Sequence, residues 1–436
     1  MIIPGKKRGV KAWKCDVCGA VIKGDTPPET CPVCGKGPEH FIEVTIEEIE
    51  FSSSADLKFV IIGGGIAGLT AADEIRKRND VAGIEIISDE DVVCYNRPML
   101  TKGLLAEPES NEFYVQQPNW YGEKKIKTTL GVSAVSIDAA AKTVALSNGE
   151  TREYDKLIYA AGSECNVIPI PGADKDIVKV IRKISDVHAI QTRLDEIDSV
   201  AVIGGGVLGL EAGWELARAG KKVTILQNGG YVMNRQLDRA AAETLQAAAE
   251  KSGVTIITGA KTKEITDSGV TLEDGEVEAQ LVIISAGTVP NVKMAFDAGL
   301  KGDRFIEVDS RMRTSDPDIY AAGDCAAFTG VSYGLWNQSL DQGRIAGINA
   351  VGDDEEYEHI VPAVAFTGFG IEVFAVGDVG TGDREYKVEE KNEPDKNICR
   401  RLYTADGVLT GGIAINDETL GVKIMDAYKN KKDLHL

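Results

Sequence analysis

Apolar and polar positions along this chain change period in a repeating order. At KFVII, residues 58–62, apolar residues follow one another without a polar break, as in a strand buried on both faces. A glycine-rich turn comes next, then apolar residues at helical spacing through GLTAADEIRKRN, then a second apolar run, IEIIS. The same order recurs in SVAVIGGGVLGLEAGWELARAGKKVTILQ, residues 199–227. Each copy has a later apolar run, KLIYAAG or QLVIISAG, and each of these follows a hairpin-like stretch, VALSNGETREYD or VTLEDGEVEAQ. Alternating strand and helix periods predict an α/β protein with two Rossmann-like three-layer nucleotide-binding domains, the second inserted in the first. The first is expected over residues 58–165 and 281–352 and the second over 166–280. Mixed strand and helix patterns over 353–436 predict a small α+β C-terminal domain. Residues 1–45 form a small cysteine-bearing domain, too short to bury a useful core without a metal. The acidic, serine-rich stretch IEEIEFSSSADL, residues 46–57, is expected to be a linker. Fully extended, it would reach about 35 Å.

Composition narrows the function classes. The 436 residues are 43% hydrophobic and 27% charged, as in soluble globular proteins of several domains. A formal charge of −20 argues against nucleic acid or an anionic membrane as partner, because phosphate would be repelled. No stretch approaches the roughly 20 apolar residues of a membrane span, and MIIPGKKRGVKAWKC has no apolar signal core. Of eight cysteines, four sit in CxxC pairs and Cys94, Cys165, Cys325 and Cys399 are scattered, a pattern expected of the reducing cytoplasm. His40, His188, His359 and His435 show no ligand or triad spacing.

Cys15-x2-Cys18 and Cys31-x2-Cys34 lie twelve residues apart. Each CxxC turn points two thiolates at one cation, and two turns complete a sulfur tetrahedron that suits zinc or iron. Gly19 and Gly35 follow the second cysteines, where the turn needs a residue free to take positive φ. The segment WKCDVCGAVIKGDTPPETCPVCG resembles the rubredoxin-like domain of rubrerythrins, through Trp13, the turn Pro27-Pro28-Glu29 and the CPVCG knuckle. That resemblance implies iron, with a structural zinc ribbon as the alternative.

Two phosphate loops follow. Gly63-x-Gly65-x-x-Gly68 lies between an apolar run and a helix, and Gly204-x-Gly206-x-x-Gly209 repeats it. The first glycine makes the turn, the second admits a pyrophosphate and the third lets helix and strand approach. In the first copy the ribose acid is expected at the end of IEIIS, but Ser88 holds that place, so Asp89 or Glu90 is the substitute. In the second copy the strand ends at Gln227, which can accept from a 2′-hydroxyl, and no arginine follows until Arg235. NADH is therefore expected over NADPH.

IYAAGDCA, residues 319–326, resembles the second FAD fingerprint of the pyridine-nucleotide flavoprotein superfamily, which implies that Asp324 holds the ribityl chain. YNRPMLTKG and YGLWNQSLDQGRIAGINA are similar to the rubredoxin and ferredoxin reductase branch of that superfamily. The resemblance implies that Arg97 and Lys102 lie near the phosphates and flavin and Trp336 near the ring system. It adds Ala134, Gly162 and Gly323 to the FAD contacts and Gly287 to those of the nicotinamide nucleotide. Glu211, in the GLE that follows the second loop, would pair with Lys102 beside the flavin N5 as the catalytic couple. Disulfide- and peroxide-reducing members carry a redox cysteine beside the flavin, but the matching stretch here is NRPML. Cys94 is the nearest thiol and is expected to be a small buried hydrophobe.

The resemblance thus implies an NADH-dependent flavoprotein reductase passing electrons through FAD to an Fe(Cys)4 centre in the same chain. The acceptor beyond would be a redox protein of the rubrerythrin, flavodiiron or superoxide reductase type. Two other expectations stay open: an NADH:ferredoxin-type reductase with a structural zinc ribbon, and an NADH-sensing flavoprotein.

Overall fold

The computed structural model describes residues 6–50, 55–106 and 113–436. The cysteine-bearing domain is a three-stranded sheet of β1 (Lys6–Cys15), β2 (Val21–Lys23) and β3 (Phe41–Glu50), with β1 central and both pairings antiparallel. Its core consists of Cys15, Cys31 and Phe41, flanked by Trp13, Val17, Ile22 and Val33, so the ligand set is itself a large part of what is buried. β3 pairs with β1 as far as Glu50–Lys6. The linker expected over 46–57 therefore begins later, because residues 46–50 are held in a ladder. Residues 51–54 of it lie outside the described residues.

The first nucleotide-binding domain is built on β4 (Lys58–Ile62), which runs into α1 (Ile66–Arg78) and β5 (Gly83–Ile87). α2 (Met99–Lys102) and β6 (Ile126–Thr129) follow, then β7 (Ala134–Asp138), β8 (Thr143–Leu146), β9 (Thr151–Glu153) and β10 (Lys156–Tyr159). One parallel sheet has the order Ile319–Ala321, β10, β4, β5, β6. β7, β8 and β9 form a separate antiparallel sheet, which is the hairpin expected from SNGE and one strand more. The helix Trp336–Ala350 crosses α1 closely. A Cβ at Gly343 would lie 2.3 Å from the Ala67 carbonyl oxygen, and one at Gly347 2.5 Å from that of Ala71.

The second domain repeats this plan. Its parallel sheet has the order Val178–Lys179, Leu281–Ile284, Ser199–Ile203, Lys222–Gln227, Thr255–Thr258. A three-stranded antiparallel sheet, Thr262–Thr266, Gly269–Leu272 and Gly275–Glu278, stands where the first domain has β7–β9. The boundary expected at 280/281 cuts this domain short. Leu281–Ile284 pairs with Ser199–Ile203, and Val282 and Ile284 are buried in the same core as Ala201 and Leu226.

The C-terminal strands Ala363–Gly368, Ile371–Gly377, Val408–Ile415, Cys399–Ala405 and Lys387–Glu390 form an antiparallel sheet in that order. The helix Glu418–Asn430 buries Leu420 and Ile424 against it.

Contacts divide the chain into two compact units. One comprises Met1–Asn96, Glu109–Glu164 and Val289–Ile360; the other comprises Arg97–Pro108, Cys165–Thr288 and Val361–Leu436. Two expected boundaries move accordingly. Residues 353–360 stay with the first unit because Asp353 pairs with Arg78, Glu355 with Arg344, and Tyr357 is buried in the first core. Arg97–Pro108, expected in the first domain, belongs to the second unit: α2 packs on the helix Val207–Arg218, and Gln191 Nε2 donates to the Leu104 and Ala106 carbonyls.

Candidate functional site

The four sulfurs of Cys15, Cys18, Cys31 and Cys34 lie within 4.8 Å of one another, a spread one metal ion can bridge. Each knuckle closes on itself. Gly19 N–H donates to the Cys15 carbonyl at 2.9 Å and Gly35 N–H to the Cys31 carbonyl at 2.8 Å, with φ of +77° and +74° that favour glycine. Hydrogen bonds shared among the four thiols lower two of them and raise the other two, Cys18 and Cys34. Cys18 is the main neighbour drawing Cys15 down to about 7, and Cys15 is the main one holding Cys31 below the usual thiol range. The thiolate is the metal-binding form. Beside the cluster, buried His40 bonds Asp16 through Nδ1 at 3.1 Å and is a packing residue of the domain.

In the first unit, Gly63 has φ of +114°, and a Cβ there would fall 2.0 Å from the Ala160 carbonyl oxygen. No other residue fits where β10 ends against the loop. At Gly65 a Cβ would meet nothing within 4 Å, so the cradle is open on that side, and no side chain caps the N-terminus of α1. Such an end attracts pyrophosphate. Gly68 closes the helix against the loop, as expected. Ser88 is buried against Gly64, while Asp89 is exposed one residue beyond and Glu90 accepts from the Tyr95 hydroxyl at 2.7 Å.

Asp324 stands at the end of the strand Ile319–Ala321. Its Oδ2 accepts from Ser163 Oγ at 2.7 Å and its Oδ1 from Ser339 Oγ at 3.3 Å. Gly323 N–H donates to Gln342 Oε1 at 2.9 Å, and Gly162 precedes Ser163 at φ +65°. Nearby on the same helix the buried Gln338 Nε2 has no hydrogen-bond partner, nor does Ser332 Oγ just before it. Orphaned buried polar atoms call for a polar group the protein itself does not supply. With the open cradle and uncapped helix, they fit FAD. Trp336 begins the helix Trp336–Ala350, half-buried against the first core. Ala134 opens β7, in the antiparallel sheet apart from this cluster. Cys94 is buried in that core, its N–H taken by the Tyr121 hydroxyl at 3.3 Å.

In the second unit Gly204 has φ of +121°, and a Cβ would fall 2.1 Å from the Ser285 carbonyl oxygen. Gly206 is open, the helix Val207–Arg218 has no side-chain cap, and Gly209 approaches the loop. The Gln227 amide stands as Ser88 does in the first copy. Its Oε1 accepts from Gly205 N–H at 2.9 Å and its Nε2 donates to the Tyr231 carbonyl at 3.2 Å. Gly287 takes φ of +88° and its carbonyl accepts from Asn166 N–H at 2.9 Å. Arg239, four residues beyond Arg235, packs its guanidinium over the Tyr231 ring at 5.5 Å.

The same unit holds the expected couple. Lys102 Nζ lies 3.8 Å from Glu211 Oε1, and Thr101 Oγ1 donates to Glu211 Oε2 at 2.5 Å. Glu211 is 3% exposed, whereas Lys102 is 42% exposed. Burial pushes the Glu211 carboxyl above its usual range, against the opposing pull of Lys102 and Thr101. The Arg97 guanidinium donates to the Arg182 carbonyl. Sequence reasoning missed Thr101, Ser163 and Ser339. Only the position of Thr101, next to Lys102, offered a signal.

Among the described residues no helix is long and apolar enough to cross a membrane. Residues 57–343 match the model of the pyridine nucleotide-disulphide oxidoreductase family, and residues 13–42 that of the rubrerythrin rubredoxin-like domain. The assimilatory nitrate reductase electron transfer subunit of Bacillus subtilis is 32% identical over 87% of this chain and 50% of its own length. This chain spans about half the length of that relative and of the B. subtilis nitrite reductase [NAD(P)H]. The NADH-rubredoxin oxidoreductase of Clostridium acetobutylicum is 31% identical over 86% of this chain and 95% of its own. The crystal structure of NADH:rubredoxin oxidoreductase from that organism superposes with a TM-score of 0.74 at 28% identity, covering 87% of this chain and 96% of that one. A family model spanning more than half of the sequence, together with two open phosphate cradles in the same fold, establishes that the chain belongs to the pyridine nucleotide-disulphide oxidoreductase family.

Proposed function

We propose that this chain is an FAD-dependent NADH:rubredoxin oxidoreductase that carries its own rubredoxin-type Fe(Cys)4 centre. Electrons from NADH pass through FAD to that centre and on to an external redox protein of the rubrerythrin, flavodiiron or superoxide reductase type. The convergence of four thiols in the same chain as two pyrophosphate cradles carries this assignment. FAD, when bound, supplies the change from two-electron hydride chemistry to single electrons.

The chain's own residues do the rest. Gly63, Gly65 and Gly68 with the α1 N-terminus would hold the FAD pyrophosphate, and Asp324, steadied by Ser163 and Ser339, would hold the ribityl hydroxyls. Gly204, Gly206 and Gly209 receive the NADH pyrophosphate, with Gln227 beside the adenosine ribose. The Lys102–Glu211 couple, braced by Thr101, would hold charge and a proton for the hydride transfer. Cys94, buried in the core, takes no part, so no thiol relay intervenes. Four thiolates hold the iron, a one-electron carrier.

Metal analysis and the visible spectrum of protein from its native source test the proposal. About one iron per chain and a red chromophore that bleaches with NADH are expected. Stoichiometric zinc under a plain yellow flavin spectrum would leave a structural ribbon and a reductase acting in trans.

A further inference from the structure

Within the first unit, the second cysteine knuckle touches the loop that leads to Arg97. Asn96 Nδ2 donates to the Val33 carbonyl at 3.4 Å. Val33 lies inside the Cys31–Cys34 knuckle, and its carbonyl belongs to the peptide bonded to Cys34. Asn96 is only 5% exposed, and its Oδ1 is buried with no hydrogen-bond partner. An amide buried with one end unsatisfied is costly, and the bond to the knuckle offsets part of that cost.

Both sides of this contact are fixed. Asn96 N–H donates to the Phe113 carbonyl at 2.7 Å, and Tyr95 forms an antiparallel bridge with Tyr114. Across from it, Cys31 N–H donates to the Lys36 carbonyl at 2.7 Å, which sets the knuckle. β3 also runs beside α1, a second contact between the metal domain and the flavin-binding fold. Only residues 51–57 join β3 to β4, a span of at most about 25 Å. So short a tether keeps the knuckle at high effective concentration near its own Asn96.

We propose that the Cys31–Cys34 knuckle docks in cis on Asn96, making the Val33–Cys34 peptide the edge at which electrons enter the metal centre. This rests on the function proposed above and names the internal partner surface for it. One electron crosses per transfer and no bond to iron is made or broken. NADH, through the flavin, is the reductant, ferric iron becomes ferrous, and the external acceptor returns it to ferric before the next electron crosses.

Hydrogen exchange and stopped-flow measurements on the full-length holoprotein test the docking. Asn96→Ala removes the donor, and the isosteric Asn96→Asp sets a carboxylate oxygen against the Val33 carbonyl. Loss of one such bond should raise exchange of the 31–36 amides about fivefold in either variant. NADH should reduce the flavin at the wild-type rate in both. Metal reduction should be slower in both, at a rate independent of protein concentration. Unchanged exchange in both variants would overturn the docking, and so would metal reduction that accelerates in proportion to protein concentration. If the wild-type metal is never reduced, the proposed function falls, while the exchange result still decides the docking.

Discussion

Replacing Thr101 by valine isolates the bond that braces Glu211. Valine keeps the shape of threonine and removes only the hydroxyl that donates to Glu211 Oε2. The carboxylate is 3% exposed, so water cannot take over, and Lys102 at 3.8 Å and 42% exposed compensates weakly. A hydrogen bond to a charged group is worth about 1.5–3 kcal/mol, against about 0.5–1.5 kcal/mol for a neutral one. Where Glu211 is ionised, Thr101→Val should therefore cost about 1.5–3 kcal/mol in the wild-type background, against about 0.5–1.5 kcal/mol beside Glu211→Gln. The coupling energy of the double-mutant cycle should be about 1 kcal/mol. The assay is urea denaturation of the four proteins, following the transition of the unit that holds both residues, since the chain is not a single two-state domain. The pH dependence has a definite sign. The folded-state pKa of Glu211 is raised by burial, so its contribution is full below the ordinary glutamate value of about 4.3 and is lost as pH rises through the folded value. Thr101 opposes that rise. The extra cost of Thr101→Val over the Gln background should thus appear as pH rises and vanish in acid. Equal costs in both backgrounds at every pH would refute the bracing role.

kcat/KM for NADH should exceed that for NADPH, and Gln227→Glu should widen the gap by repelling the 2′-phosphate, against the pull of the Arg239 guanidinium over Tyr231; equal values for the two nucleotides would overturn this. Asp324→Ala should weaken FAD retention about 10–100-fold, measured as the FAD Kd of the apoprotein, because Ser163 and Ser339 lose their common acceptor along with the ribityl chain. Cys94→Ser should leave NADH-driven reduction of both flavin and metal within about twofold, at a modest cost in stability for a buried hydroxyl. Loss of metal reduction in that variant would reinstate a thiol relay.

What the sequence shows clearly here is whatever is encoded by short-range spacing. The cysteine knuckles, both GxGxxG loops and the hairpins at SNGE and EDGE are each fixed by a few adjacent residues, and the structure forms them where the spacing puts them. Boundaries are less legible because apolar runs do not declare which sheet they join. Leu281–Ile284 suits either parallel sheet by pattern, and only its pairing with Ser199–Ile203 assigns it. The acidic stretch after residue 45 looks like linker, yet it continues β3 because β1 offers a partner as far as Lys6. Long-range partners are least legible. Thr101 meets Glu211 across 110 positions and Ser163 meets Asp324 across 161, and nothing local marks a serine or threonine as the second half of such a pair. Ser88 shows a middle case. The strand end lacks the expected acid, and the structure sets the serine itself against Gly64.

Anaerobic titration with NADH tests the central claim most directly, because it counts the electrons the chain accepts. With FAD and an Fe(Cys)4 centre in one circuit, full bleaching of both chromophores should take about 1.5 NADH per chain, two electrons for the flavin and one for the iron. The red absorbance should fall together with the yellow. An end point at about one NADH per chain, with the metal chromophore unchanged or absent, would contradict the account and leave the four cysteines a structural site.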